Sequence, residues 1–338
     1  MYLSLRVPKD ARFTYQFLPL SAPPVSGASL KETAALFQFA EADAWNPRRF
    51  FDRSLIELPD APAQTFSQRA PGVAAGRVVK RTLRSQILGE ERSVSIYLPA
   101  GFAPAQGPYP YVVVFDGEVY GDAPGALVPT PIILDNLIAQ GKVPPMLAVL
   151  VDSMGLRSRD LAMSPKFGDF LARELAPWVR SEYQAAADPS EVTLAGSSLG
   201  GLCAAYTALH HADVFGNVLS QSGSFWFAPG AMEAESPFHI ETGALMREVL
   251  AASPQPLRFW IEVGRFEGGG GLAGANQVAQ NRHLRDVLLA RGYRVSYHEF
   301  SGGHDYACWR GSLADGLMDL AGSAAMAAPK EALAHRPL

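Results

Sequence analysis

Between Val192 and Gly201 the chain reads Val-Thr-Leu-Ala-Gly-Ser-Ser-Leu-Gly-Gly, and this stretch restricts the possible folds more than any other. A short β-branched, apolar run enters a Gly-x-Ser-x-Gly pentapeptide, and small and apolar residues from Leu202 to Leu209 leave it. The first run suits a strand buried on both faces and the second a helix, so the pentapeptide must turn the chain sharply between them. A serine on such a turn projects its hydroxyl from the top of the sheet. The helix start beside it offers free N–H groups and a positive dipole end to a developing oxyanion. Ser198 is therefore the candidate nucleophile and the N–H of Leu199 a candidate oxyanion donor. A tight strand-to-helix turn whose glycines serve packing alone is the alternative reading.

The rest of the chain supplies a sheet for this turn. Thr82–Ile87 and Ser93–Leu98 alternate around Gly89-Glu90 as an antiparallel pair at a sheet edge. Continuous apolar runs follow at Tyr111–Phe115, Met146–Val151, Val192–Ala195, Val218–Leu219 and Phe259–Val263, and an alternating run at Arg294–Phe300. Helical periodicity marks Ile132–Ala139, Phe167–Tyr183, Leu199–His210, Ala244–Ala251, Ala273–Ala290 and Ser312–Leu320. Strands alternating with helices after an opening hairpin predict a mostly parallel sheet covered on both faces, the α/β-hydrolase pattern, with chain order Ser, acid, His. This catalytic domain is expected over residues 78–325, ahead of a tail at 326–338. Residues 1–77 differ: prolines and alanines are dense, Arg12–Leu18 is a strand candidate, and 59–75 reads as a surface linker. They are expected to form a short β-rich segment.

Composition narrows the function. The net charge of −4 leaves no basic footprint for nucleic acid, and no charge run or apolar stretch of spanning length points to a membrane. Two cysteines, Cys203 and Cys308, are too few for a disulfide framework and too far apart for a local metal clip, so both read as reduced, buried thiols. No secretory leader is visible, and the expectation is a soluble cytoplasmic protein without a metal. Met1–Val7 reads as the middle of a strand, so upstream residues, an export signal included, are allowed for.

A serine nucleophile needs a base after the last strand. Phe300-Ser301-Gly302-Gly303-His304-Asp305 places a histidine there on a glycine-rich turn, and none of the other six histidines has this placement. The acid should follow the strand ending at Val263. Glu262 lies inside that strand and Asp286 on a helix among arginines, whereas Glu267 stands four residues beyond it, before Gly268–Gly271. Glu267 is the candidate third member, with a Ser-His dyad as the alternative. The second oxyanion donor is expected after the Tyr111–Phe115 strand, from the N–H of Gly117 or Glu118.

Three longer stretches carry a family resemblance: Gly-Ser-Ser-Leu-Gly-Gly-Leu-Cys-Ala-Ala-Tyr (196–206), Val-Phe-Gly-Asn-Val-Leu-Ser-Gln-Ser-Gly-Ser-Phe-Trp (214–226) and Gly-Gly-His-Asp-Tyr-Ala-Cys-Trp-Arg-Gly (302–311). Together they resemble the enterochelin esterases, α/β-hydrolases that cut the serine trilactone of ferric catecholate siderophores and so free the iron. The resemblance covers about residues 78–322. Ala44-Trp45-Asn46-Pro47 and Glu57-Leu58-Pro59 are similar to the segment joining that family's N-terminal β-sandwich to its catalytic domain, and a shortened form of that sandwich is the expectation for residues 1–77.

The resemblance implies Ser198 as nucleophile, His304 as base, Asp116-Gly117-Glu118 as the oxyanion turn and Glu267 as the acid. It also implies Arg157 near the substrate. A ferric catecholate carries several negative charges, so a cationic, aromatic cleft built from Arg157, Trp226, Trp309 and Arg310 is expected, with Arg159 and Phe227 nearby. The implied partner is a small siderophore ester such as enterobactin. No cofactor is implied, iron entering only as part of the substrate. A related serine esterase acting on sugar, feruloyl or small acyl esters would use the same machinery, and an inactive hydrolase fold that only binds the siderophore is the non-enzymatic alternative.

Overall fold

The computed structural model describes residues 4–19, 37–123, 125–229, 243–268 and 276–322. The expected tail at 326–338 and most of the Gly268–Gly271 run lie outside the described residues.

Eleven strands are found among them: β1 (Arg12–Tyr15), β2 (Arg49–Phe50), β3 (Arg53–Glu57), β4 (Arg77–Arg84), β5 (Glu91–Leu98), β6 (Tyr111–Phe115), β7 (Leu147–Val151), β8 (Val192–Ser197), β9 (Asn217–Gln221), β10 (Arg258–Gly264) and β11 (Arg294–Phe300). The helices are α1 (Thr130–Ala139), α2 (Arg157–Leu161), α3 (Pro165–Phe170), α4 (Ala176–Tyr183), α5 (Leu199–His210), α6 (Ala244–Ala251), α7 (Gln277–Ala290) and α8 (Tyr306–Ala321). A π-helical stretch, Leu171–Leu175, joins α3 to α4.

Eight strands form one sheet in the order β11-β10-β9-β8-β6-β7-β5-β4. Pairing is parallel from β11 to β7 and antiparallel at the β5 and β4 edge. This is the α/β-hydrolase arrangement expected from the sequence. The central strands are apolar on both faces because both are covered. Val113, Leu194, Val218 and Ile261 face a core shared with α3, α4 and α5. Ala148, Ala195, Leu219 and Trp260 face a second core with α1 and α8. Each Val or Leu taken fully out of water contributes about 1.5–3 kcal/mol relative to exposure.

The N-terminal strands form a separate three-stranded sheet, β1-β3-β2, antiparallel throughout. Two differences from expectation follow. The β2–β3 hairpin has no clear alternation in sequence, and its turn at Phe51 adopts a positive φ without glycine. The stretch at 59–75 is no loose linker. Arg69 pairs with buried Asp135 at 2.9 Å, while Asn136 donates to the carbonyls of Phe66 and Gln68 at 2.8 and 2.7 Å. Both anchors stand on α1, so this stretch is fixed to the catalytic domain by hydrogen bonds that satisfy buried polar groups.

Candidate active site

The C-terminal ends of β6, β8, β9, β10 and β11 lie along one rim, and each sends a candidate residue there. Ser198 follows β8 at φ 58° and ψ −120°, a conformation strained for a residue with a Cβ. Gly196 is demanded by close approach, since a Cβ there would stand 2.8 Å from the Gly200 backbone where strand and helix cross. The first-turn N–H groups of α5, that of Leu199 included, have no intrahelical acceptor and open at Ser198. Ser198 Oγ is 3.1 Å from Ser224 Oγ, and Ser224 N–H donates to the Ser198 carbonyl at 3.0 Å.

Glu267 and His304 meet. Glu267 Oε2 is 2.6 Å from His304 Nδ1, in a pair whose carboxylate side chain is 4% exposed and whose imidazole is 43% exposed. The other oxygen, Oε1, accepts from Gly264 N–H at 2.8 Å and from Ser222 Oγ at 2.7 Å. Ser222 Oγ in turn accepts from the indole N–H of Trp309 at 3.1 Å. The Trp309 ring meets the His304 ring edge-on, centroids 4.8 Å apart. The carboxylate is thus held by two donors and the imidazole by one acid and one aromatic face. Among the described residues no hydrogen bond joins Ser198 to His304; the Ser198 hydroxyl rests on Ser224.

At the oxyanion turn the structure separates the two candidate donors. Gly117 N–H donates to Val151 O at 2.9 Å and is taken up by the sheet edge. Glu118 N–H makes no hydrogen bond among the described residues, and its carboxylate is occupied by Ser153, N–H at 2.9 Å and hydroxyl. Of the two candidates, Glu118 N–H is the one left without an acceptor, beside that of Leu199.

The expected cationic cleft is rearranged. Arg157 Nε donates to Asp116 Oδ1 at 2.8 Å and its Nη2 to the Ser197 carbonyl at 3.2 Å. Its charge is therefore directed under the nucleophile turn, against a carboxylate that burial pushes up and Arg157 pulls back down. Trp309 is 2% exposed and serves as the wall behind His304 and Ser222, not as a substrate face. Arg310 bonds Gln64 Oε1 at 2.5 Å and lies over the Phe50 ring at 4.7 Å, which ties α8 to the N-terminal segment. Arg159 pairs with Glu90 and Asp160. Trp226 alone of the expected aromatics is half-buried, packed edge-on to Phe227.

Ser222, Ser224 and Asp305 also stand at this site, outside the residues expected from the sequence. The first two stand in the Ser-Gln-Ser-Gly-Ser stretch that runs out of the end of β9, where small hydroxyl residues directly following a buried strand are the signal. Among the described residues no His, Cys, Asp and Glu cluster is placed to hold a metal ion.

With this geometry in place the comparisons fall into line. The chain matches the family described as "Putative esterase" over residues 85–320, and that of the enterochelin esterase N-terminal region over residues 1–67. It is 31% identical to the iron(III) salmochelin esterase of Escherichia coli O6:H1, covering 93% of this chain and 76% of that protein. It is 29% identical to the iron(III) enterobactin esterase of Dickeya dadantii, covering 93% and 75%. Its fold superposes with a TM-score of 0.70 on the enterobactin esterase of Shigella flexneri crystallised in the presence of enterobactin, at 28% identity over 92% of this chain and 78% of that one. An ester hydrolase by fold and family, this chain belongs to the enterochelin esterases.

Proposed function

We propose that the protein hydrolyses the ester bonds of a ferric catecholate siderophore, with Ser198 as nucleophile, His304 as base and Glu267 as the acid that orients it. The observation that carries the machinery is the 2.6 Å bond from Glu267 to His304 Nδ1, on the rim that also carries the strained Ser198. A ring so held presents Nε2 for proton transfer. The relatives named for enterobactin and salmochelin support the substrate class.

In this reading Ser198 Oγ turns from Ser224 towards His304 Nε2, which takes its proton as Oγ attacks the ester carbonyl. The tetrahedral oxyanion is met by the N–H groups of Leu199 and Glu118. Collapse expels the serine alkoxide of the substrate, to which His304 returns the proton. Water then enters by the same general-base route and releases the acid from Ser198. Glu267 orients the ring and stabilises the imidazolium of both steps. No cofactor takes part, and iron enters and leaves with the catecholates. We place the reaction in the cytoplasm, consistent with two free, buried thiols. Among the described residues no helix is long and apolar enough to cross a membrane.

Incubation with a catecholate trilactone, ferric and iron-free, beside aryl and feruloyl esters, tests the reading, with products resolved by chromatography. The expected result is stepwise ring opening, with kcat/KM on the ferric trilactone about 10²-fold or more above the simple esters. Equal or lower efficiency on the trilactone would reassign the substrate to another ester class.

A further inference from the structure

The loop that carries His304 is held from outside the catalytic domain. The free edge of β1 runs along it: Arg12 N–H donates to Ser301 O at 2.9 Å, the Cys308 thiol donates to Arg12 O at 3.0 Å, and Thr14 N–H donates to Asp305 Oδ2. The approach is close enough to dictate sequence. A Cβ on Gly302 would stand 2.6 Å from both Arg12 O and Cys308 Sγ, so the glycine two residues before the histidine is required by β1 and α8 together and not by the turn alone. On the far side Phe266 N–H donates to Gly302 O at 3.0 Å, and the Phe266 ring meets Phe13 of β1 edge-on at 5.6 Å. The base loop is thus clasped between an N-terminal strand and the turn that carries Glu267.

Asp305 is the joint. It is 7% exposed, and its carboxylate divides two tasks: Oδ1 caps α8 by accepting from Ala307 N–H at 2.9 Å, and Oδ2 accepts from Thr14. A helix cap needs only one of these oxygens. The second fixes the residue next to His304 against a strand nearly three hundred positions earlier in the chain. We propose that β1 is a positioning strand for the catalytic histidine and that Asp305 is the positioning residue through which it acts. The N-terminal segment then contributes to turnover itself, apart from any contact it makes with substrate. The inference rests on His304 being the base and is independent of which ester is cleaved.

The test uses the full chain and a small neutral aryl ester, so failure of the siderophore assignment does not affect it. Asp305→Ser keeps a good helix cap but is too short to reach Thr14. Thr14→Pro removes the same hydrogen bond from the other side, at an outward-facing N–H of an edge strand. His304→Ala serves as the control for the base assignment, and an active His304→Ala would overturn that assignment instead. In each variant that keeps the wild-type circular dichroism, kcat is expected to fall about 10–100-fold with KM within about twofold, since a shift of about 1 Å in a reacting group costs on that scale. The downfield proton resonance of the His304–Glu267 hydrogen bond should broaden or vanish in both, which a loss of helix capping alone would not produce. Wild-type kcat with an intact resonance in either folded variant would overturn the proposal. So would a rise in KM without loss of kcat, which would make β1 a substrate contact.

Discussion

Glu267 and His304 approach to 2.6 Å although 36 residues and a complete helix separate them in sequence. Parallel pairing of β10 with β11 in register, Gly264 opposite Phe300, brings the two post-strand turns side by side. The acid turn then folds back so that Gly264 N–H and Ser222 fix one carboxylate oxygen and leave the other for the imidazole.

Glu267→Gln is expected to lower kcat about 10²–10⁴-fold with little change in KM, because an amide nitrogen facing Nδ1 selects the wrong imidazole tautomer. Steady-state kinetics on an aryl ester reads this directly. Turnover within twofold of wild type would mean a dyad or another carboxylate.

Ser222→Ala removes one donor to Glu267 and the acceptor for the Trp309 indole. One charge-assisted bond of several is lost, so kcat should fall about 3–30-fold while KM stays. An unchanged kcat would show that Gly264 N–H alone holds the carboxylate.

Arg157 points under the nucleophile turn, and this sets a prediction opposite to the one its charge suggests in sequence. Arg157→Ala should reduce turnover of neutral and anionic esters alike, and should destabilise the fold by about 1–3 kcal/mol by leaving Asp116 unpaired in a buried position. A loss confined to anionic substrates, with an unchanged melting curve, would restore Arg157 to the substrate face.

How much of this was legible in the sequence depended on locality. Continuous apolar strands and the Gly-x-Ser-x-Gly turn carry their conformation in a few residues, so Leu199–His210 and Arg294–Phe300 are legible to the residue, while the strand before the turn runs two residues past its expected end at Ala195. Glu267 was reachable because strand order fixes where an acid must stand. Where Trp309 and Arg310 point is not legible in sequence, because an aromatic or a cation has the same letter whether it faces substrate or a neighbour. Only the docking of α8 against Phe50 and Gln64 decides that. Gly302 reads as a turn glycine, and one of the two atoms that exclude a side chain there, the Arg12 carbonyl, lies 290 positions away.

Glu262, excluded as the acid by its place inside β10, carries a pH signature. Burial pushes its carboxyl up to about 8, only partly offset by hydrogen bonds from Ser312 and Gln221. A carboxyl raised on folding binds its proton more tightly in the native state. Its stabilising contribution is therefore complete below the ordinary carboxyl range and lost as pH rises to about 8. Glu262→Gln mimics the protonated form, so it should be more stable than wild type at pH 8 by roughly 1–4 kcal/mol and match it near pH 4. Denaturant melts across that range measure the difference. Parallel wild-type and variant profiles would contradict a buried, protonated Glu262.

The central claim is that one serine, activated by His304, forms the acyl-enzyme. Ser224 Oγ, 3.1 Å from Ser198 Oγ, is the natural rival for a covalent label. A fluorophosphonate reaction followed by peptide mass mapping decides between them. The account predicts a single adduct on Ser198, formed about 10²-fold or more slowly in His304→Ala and absent in Ser198→Ala. An adduct on Ser224, or labelling of Ser198 at the wild-type rate without His304, would contradict it.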